Sequence, residues 1–410
     1  MYFLLKLYNL LLSACFYVLL PLIKPYLAKK NYREALNATG KNSHRGILFH
    51  AASVGEINAI RPLLQKLLAQ LTDKTISVTT TTITGKKQAQ KISDKLQVFL
   101  SALDIKHLRY KQLDAIHPGL ICIVETEIWP NLLLWAKEHN VPVIFISARM
   151  SAKSFARYAH LKFLIRYLEQ PVSMILAQSA EDQKRFAKIF SKPVKYLGNI
   201  KLSLNLPEYN HLTLREQWGY SEGDFVLCWG SSRPGEESLI LNLLPAISKA
   251  IPELKLIVAL RHPNRIAEVE KLAGSFDYAL YSQFEHTNAP QLMIIDTLGV
   301  LDQAYALSDL LIIGGSFFDF GGHNPLEAAF YAKPIIIGPY HSSCRESVQI
   351  LASNNAIMVS DCHTLKEDIL SLASDKAYRE AMGKRAKKVL TDNAECVDKY
   401  YNEIMGIIGD

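Results

Sequence analysis

Beyond residue 45 the chain alternates short apolar runs with longer stretches in which apolar positions recur every three or four residues. The apolar runs fall at 46–52, 75–80, 120–124, 141–147 and 174–177, and again at 225–229, 254–260, 292–295, 310–313 and 334–337. They are rich in Val, Ile and Leu and lack a regular polar face, as expected of parallel strands covered on both sides. Between them lie helix-length stretches such as the one holding Ile60, Leu63, Leu64, Leu67 and Leu68. The pattern predicts an α/β fold with one doubly wound sheet in each half. In such open sheets ligands bind beyond the carboxyl ends of the strands, so the loops after the apolar runs are where chemistry is expected.

The N-terminus reads differently. Residues 7–23, LYNLLLSACFYVLLPLI, carry no charge and are followed by Lys24, Lys29, Lys30 and Arg33. This predicts a membrane anchor over 1–30, for which a tilted span and an in-plane helix both remain open, since the run is short and Pro21 interrupts it. The basic cluster after the run places the rest of the chain on the cytoplasmic side. Two domains follow, 31–206 and 207–410.

Composition agrees with a chain that buries sizeable cores: of 410 residues 49% are hydrophobic and 21% charged. That excludes disorder and a disulfide-stapled miniature. Six cysteines without a C-x-x-C pair suggest neither a zinc cage nor a disulfide framework. The net charge of +7 hides an asymmetry. Residues 1–206 hold 29 Lys and Arg against 12 Asp and Glu, whereas 207–410 hold 17 against 27. Only the first half is therefore expected to meet an anionic surface or substrate.

Several loops carry candidate chemistry. In His50-Ala51-Ala52-Ser53-Val54-Gly55-Glu56, a glutamate stands at the start of a helix and at the end of a strand, suiting either a first-turn carboxylate or a general base. In the run ending Val124-Glu125-Thr126-Glu127-Ile128-Trp129-Pro130-Asn131, two carboxylates spaced two apart share one face if the strand continues that far. Arg149, Lys153 and Arg157 recur every four residues as one basic helix face, suited to solvent or to anionic lipid. In the second half, Gly314-Gly315 precede Asn324-Pro325-Leu326-Glu327, where Asn324 suits an N-cap, Pro325 N1 and Glu327 N3. The paired glycines would let backbone N–H groups approach a phosphate. The loops holding Arg233 and Arg261 supply further phosphate partners. No P-loop, H-E-x-x-H or D-x-D is present, which disfavours a metal.

Taken in order, SVGE, VTTTTITG, ETEIWPN, SARMS, GNIK, RHP, DTLG and GGHNPLEAA resemble the 3-deoxy-D-manno-octulosonic acid (Kdo) transferase family over nearly the whole chain. The resemblance implies a GT-B fold, two Rossmann-like domains facing across a cleft, with a last helix able to return to the first domain. It implies no cofactor, CMP-Kdo as donor and a lipid A precursor as acceptor, and by extension an enzyme of lipopolysaccharide biosynthesis at the inner membrane of a bacterium, with no nucleic acid partner. By the same resemblance Glu56 is the general base, while Glu125 and Lys201 stabilise the transition state. Leu260, Arg261, Leu298, Gly299, Val300, Asn324, Pro325, Leu326 and Glu327 surround CMP. Val300 stands where the family commonly has Glu, and Arg233 differs from some relatives. The alternatives are another GT-B nucleotide-sugar enzyme or a membrane-tethered nucleotide-binding regulator.

Overall fold

The computed structural model describes residues 2–29, 32–204, 206–284 and 289–409. It divides into two units, Met1–Ser203 with Glu395–Asp410, and Leu204–Ala394.

The first unit is built on strands β1 (Ile47–His50), β2 (Ile76–Thr80), β3 (Gln97–Leu100), β4 (Leu120–Val124), β5 (Val143–Ala148), β6 (Val172–Ala177) and β7 (Val194–Tyr196). They form one parallel sheet in the order β3-β2-β1-β4-β5-β6-β7. Both faces are covered, and the alternation along each strand shows it. On β4, Leu120, Cys122 and Val124 join one buried cluster with Ile60, Leu63 and Leu64, while Ile121 and Ile123 join another with Leu132, Leu133 and Phe186. The helix Cys396–Gly409 completes the first of these clusters through Cys396, Val397, Tyr400 and Ile404.

The second unit has strands β8 (Phe225–Ser232), β9 (Leu254–Leu260), β10 (Tyr278–Leu280), β11 (Leu292–Ile295), β12 (Leu310–Ile313), β13 (Ile335–Ile337) and β14 (Met358–Val359). Its sheet is also parallel, in the order β10-β11-β9-β8-β12-β13-β14. All ten predicted strands are present, with ends shifted by up to three residues. Four were not anticipated: β3, β7, β10 and β14.

The apolar N-terminus forms the helix Tyr2–Lys29, which runs through Pro21. One stripe of it lies on the first unit: Leu12, Phe16 and Leu20 pack with Leu36, Ala38, Ala102, Ile105 and Leu108. Tyr17 stacks on His107, with ring centroids 5.6 Å apart. Leu10, Leu11, Val18 and Leu19 stay exposed. Among the described residues no helix is long and apolar enough to cross a membrane. Met1 and Lys30, the ends of the predicted anchor, lie outside the described residues.

Candidate active site

In the first sheet the strand order reverses between β1 and β4, and the loops after these two strands hold the predicted carboxylates. The helix Val54–Gln70 is capped by Ser53, whose Oγ accepts from Glu56 N at 3.3 Å. The Glu56 carboxylate folds back over the same turn. Ala52 N donates to its Oε2 at 2.7 Å and Ser53 Oγ donates to its Oε1 at 2.9 Å. The hydroxyls of Thr80 and Thr81, at the end of β2, donate to Ala52 O and fix the loop from the neighbouring strand. Burial pushes the Glu56 carboxyl up to about 7. The Ala52 and Ser53 donors oppose that shift by favouring the ionised form, while the charges of Glu125 and Glu127 add to it. A carboxyl that titrates near neutrality is suited to accept a proton at physiological pH.

Glu125 follows β4 directly, but the strand geometry assumed for it ends at Val124. Its φ is +58°, so the Glu125–Glu127 pair does not share a sheet face by alternation. A non-glycine residue held in this region costs about 1–3 kcal/mol and persists where its surroundings over-determine it. Here Lys201 Nζ donates to Glu125 Oε1 at 2.8 Å. Lys201 stands on the short turn Ile200–Leu202, whose start is fixed by Asn199 Oδ1 accepting from Lys201 N at 3.0 Å. Just before that turn, Tyr400 donates its hydroxyl to Gly198 O at 3.0 Å and Cys396 Sγ contacts Leu197 O at 3.1 Å. Glu127 keeps an electrostatic link to Glu125: burial first, with that neighbouring charge adding to it, raises its carboxyl above the usual range.

His50 closes β1 fully buried, in contact with Thr79 Oγ1 at 3.0 Å, and burial together with Arg109 holds its imidazole down to about 3. Both influences favour the neutral imidazole. The helix Ala152–His160 buries no residue and exposes Lys153 and Arg157. Arg149 precedes this helix, so the predicted basic face is shorter than its spacing suggested. Lys162 and Phe163 continue the exposed surface.

In the second sheet the order reverses between β8 and β12. Leu260 is the buried last residue of β9 and Arg261 is exposed beyond it. Leu298 and Gly299 are exposed before the helix Leu301–Leu307, with Gly299 at φ +92° and Val300 half-buried. The helix after the glycine loop starts at Leu326, one residue later than the predicted Pro325, and ends at Phe330. Asn324 Oδ1 does accept from Leu326 N at 3.2 Å. Burial first, then Asp302, raises the Glu327 carboxyl above its usual range, against Arg261.

The amides of Gly314 and Gly315 are not open to a phosphate. Gly314 N donates to Gly230 O at 2.8 Å. Gly315, Ser316 and Phe317 N donate to the buried Glu236 carboxylate at 2.8, 2.9 and 3.0 Å, and Arg233 N donates to it at 2.9 Å. Among the described residues no group of three His, Cys, Asp or Glu could hold a metal ion.

Sequence reasoning did not single out Ser53, Asn199, Tyr400 or Glu236 as supports. The Ser53-x-x-Glu56 spacing is a local signal of helix capping. Tyr400 lies too far along the chain from Gly198 to leave one.

Comparison with known proteins places these observations. A family model described as 3-deoxy-D-manno-octulosonic-acid transferase (kdotransferase) matches residues 29–204. A 3-deoxy-D-manno-octulosonic acid transferase of Haemophilus influenzae is 30% identical over 360 residues, covering 85% of this chain and 84% of the relative. A bifunctional glycosyltransferase/methyltransferase of Fusobacterium nucleatum is 32% identical over 350 residues, covering 81% of this chain. The chain spans about half of that second relative's length, 53%. Among solved structures, a UDP-GlcNAc 2-epimerase from Neisseria meningitidis matches 88% of this chain and 100% of its own, with a TM-score of 0.55 at 13% identity. That likeness concerns the fold alone, and with the two doubly wound parallel sheets it identifies a GT-B fold.

Proposed function

The chain belongs to the Kdo transferase family and is a glycosyltransferase, and from that premise we propose that it moves Kdo from CMP-Kdo to the tetraacyl disaccharide bisphosphate precursor of lipid A. This is a step of lipopolysaccharide core assembly. The observation that carries the reading is the Glu56 carboxyl, held by Ala52 N and Ser53 at the switch point of the first sheet and titrating at about 7 beside the Glu125–Lys201 pair.

In this mechanism Glu56 takes the proton from an acceptor hydroxyl as its oxygen attacks the anomeric carbon of Kdo. The bond from that carbon to the phosphate oxygen breaks, and CMP leaves with the electron pair. A single displacement inverts the anomeric configuration. Glu125, paired with Lys201, faces the positive charge that develops on the sugar ring as the leaving bond lengthens. Leu260, Arg261, Leu298, Gly299, Val300, Asn324, Pro325, Leu326 and Glu327 hold the nucleotide in the second unit. Because a nucleoside monophosphate leaves with less charge than a diphosphate, protein cations suffice and no divalent metal is required.

The basic first unit suits an anionic acceptor at the cytoplasmic face of the inner membrane, where the helix Tyr2–Lys29 would lie in the interface. The test is incubation with CMP-Kdo and purified acceptor in the presence of excess chelator, read by product mass and by release of CMP. Acceptor-dependent CMP release with a product heavier by Kdo is expected. Acceptor-independent CMP release, or rescue by Mg²⁺ alone, would defeat the scheme.

A further inference from the structure

The loop that carries Glu125 is held at its far end by residues with no part in the transfer scheme. Residues 125–129 run from β4 into the helix Pro130–Glu138, where Trp129 offers no side-chain cap. The cap comes from elsewhere in the chain. Asp104, in the loop after β3, accepts from Asn131 N through Oδ2 at 3.0 Å, and its carbonyl oxygen accepts from Asn131 Nδ2 at 2.6 Å. In the sheet β2 and β1 stand between β3 and β4, so this link joins loops whose strands are not neighbours.

Asp104 is fixed in turn by Arg109. The guanidinium donates through Nε to Asp104 Oδ1 at 3.3 Å and through Nη1 to Ser101 Oγ at 2.7 Å, and its carbon lies 5.8 Å from the centroid of the Trp129 ring. One arginine thus meets both the carboxylate that caps the helix and the last residue of the Glu125 loop. On the same helix, Lys106–Ile116, Gln112 accepts from Ala102 N at 2.7 Å and donates to Leu100 O at 2.8 Å, which pins the loop bearing Asp104. Arg109 and Asp104 are only 2% and 6% exposed, so neither is placed to meet a substrate. A buried ion pair is weak evidence of stabilisation, because the cost of taking two charges out of water offsets their attraction. What this pair holds in place is the more informative property. Glu125 stands at φ +58°, a backbone conformation that persists where the surroundings over-determine it. Lys201 holds its carboxylate, and Asp104 with Arg109 holds the other end of the loop.

We propose that Asp104 and Arg109 are positioning residues for Kdo transfer: by fixing Asn131 and Trp129 they set the course of residues 125–129, and so the place of the Glu125 carboxylate. The proposal rests on the reading of Glu125 as the group that faces the charge on the sugar.

The test measures transfer from CMP-Kdo by the full chain for the wild type, Asp104→Asn, Arg109→Lys and the double variant Asp104→Asn/Arg109→Gln, each with and without Glu125→Gln, beside thermal melts and CMP titrations. The double variant leaves no unpaired charge buried, which covers the case in which Asp104→Asn alone fails to fold. Well below the melting transitions, kcat should fall on the order of tenfold to a hundredfold for Asp104→Asn, with KM for CMP-Kdo and CMP affinity unchanged. Arg109→Lys, which keeps the charge but not the fork, should lose less. In the Glu125→Gln background the same changes should cost little more, because the carboxylate through which the pair acts is already gone. Equal losses in both backgrounds, a lowered melting temperature with full kcat, or unfolding of all three variants would make the pair structural alone and overturn the proposal. Full transfer by Glu125→Gln would defeat the reading of Glu125, and a wild type without transfer would defeat the donor reading. In either case hydrogen exchange decides the positioning. Faster exchange in Asp104→Asn confined to residues 125–132 upholds it, and exchange unchanged there or raised across the first unit overturns it.

Discussion

Glu56 sits between opposed influences of known sign, which makes its role testable by the direction of a shift as well as by a loss. Glu56→Gln keeps the size of the side chain and its place over the helix start but cannot accept a proton, so transfer should fall by about 10²–10⁴-fold, with CMP affinity retained. The acidic limb of the kcat/KM profile should lie near the titration of Glu56 at about 7. Ser53→Ala removes a donor that favours the ionised form, so the limb should move to higher pH. Glu125→Gln removes a charge that disfavours it, so the limb should move to lower pH at a reduced maximal rate. Shifts in the same direction, or a limb that survives Glu56→Gln, would assign the limb to another group. The place of Glu56 is legible in the sequence because strand, cap and helix follow one another within seven residues. The backbone of Glu125 is not. Its φ is left-handed and its carboxylate pairs with Lys201, 76 residues further along the chain, and the local pattern around ETEIWPN encodes neither.

The ten strands that the apolar pattern marks are the interior of the two sheets, and the four it misses, β3, β7, β10 and β14, are their edges. An interior parallel strand is covered on both faces and must be continuously apolar, whereas an edge strand need not be. In β10 all three residues, Tyr278, Ala279 and Leu280, are only half-buried, and in β7 Lys195 and Tyr196 are exposed. The resemblance implies a last helix able to return to the first domain, but no local pattern marks its contact with the turn before Lys201. That contact yields a prediction. Tyr400→Phe keeps the ring in the core and deprives Gly198 O of its donor, which should destabilise the first unit by about 1–3 kcal/mol. If the hydroxyl also positions Lys201, kcat should drop by about tenfold at temperatures well below both melting transitions, with CMP affinity unchanged. A lowered melting temperature with full kcat would make Tyr400 a structural staple alone.

Over the whole chain the first half is basic and the second acidic, and the apolar helix Tyr2–Lys29 belongs to the basic unit. The helix Tyr2–Lys29 does not stand free. Its Leu12, Phe16 and Leu20 stripe packs against Ala102, Ile105 and Leu108, so deleting the helix would uncover part of the first unit along with removing an anchor. The two faces can be tested apart. Changing Leu10, Leu11, Val18 and Leu19 together to Ser alters residues that are already exposed, so the melting temperature should hardly move. If these side chains enter the interface, each contributes about 1.5–3 kcal/mol of burial, and partitioning onto vesicles of anionic phospholipid should fall by more than a hundredfold. Phe16→Ala should do the reverse. It opens a gap between the helix and the domain, costing about 3–5 kcal/mol if the site cannot collapse, while the exposed apolar face remains. The expected pattern is therefore loss of flotation with intact stability for the first variant, and loss of stability with retained flotation for the second. Full flotation of the quadruple variant would move membrane contact to the exposed basic surface around Lys153, Arg157, Lys162 and Phe163, where added salt should then release the protein.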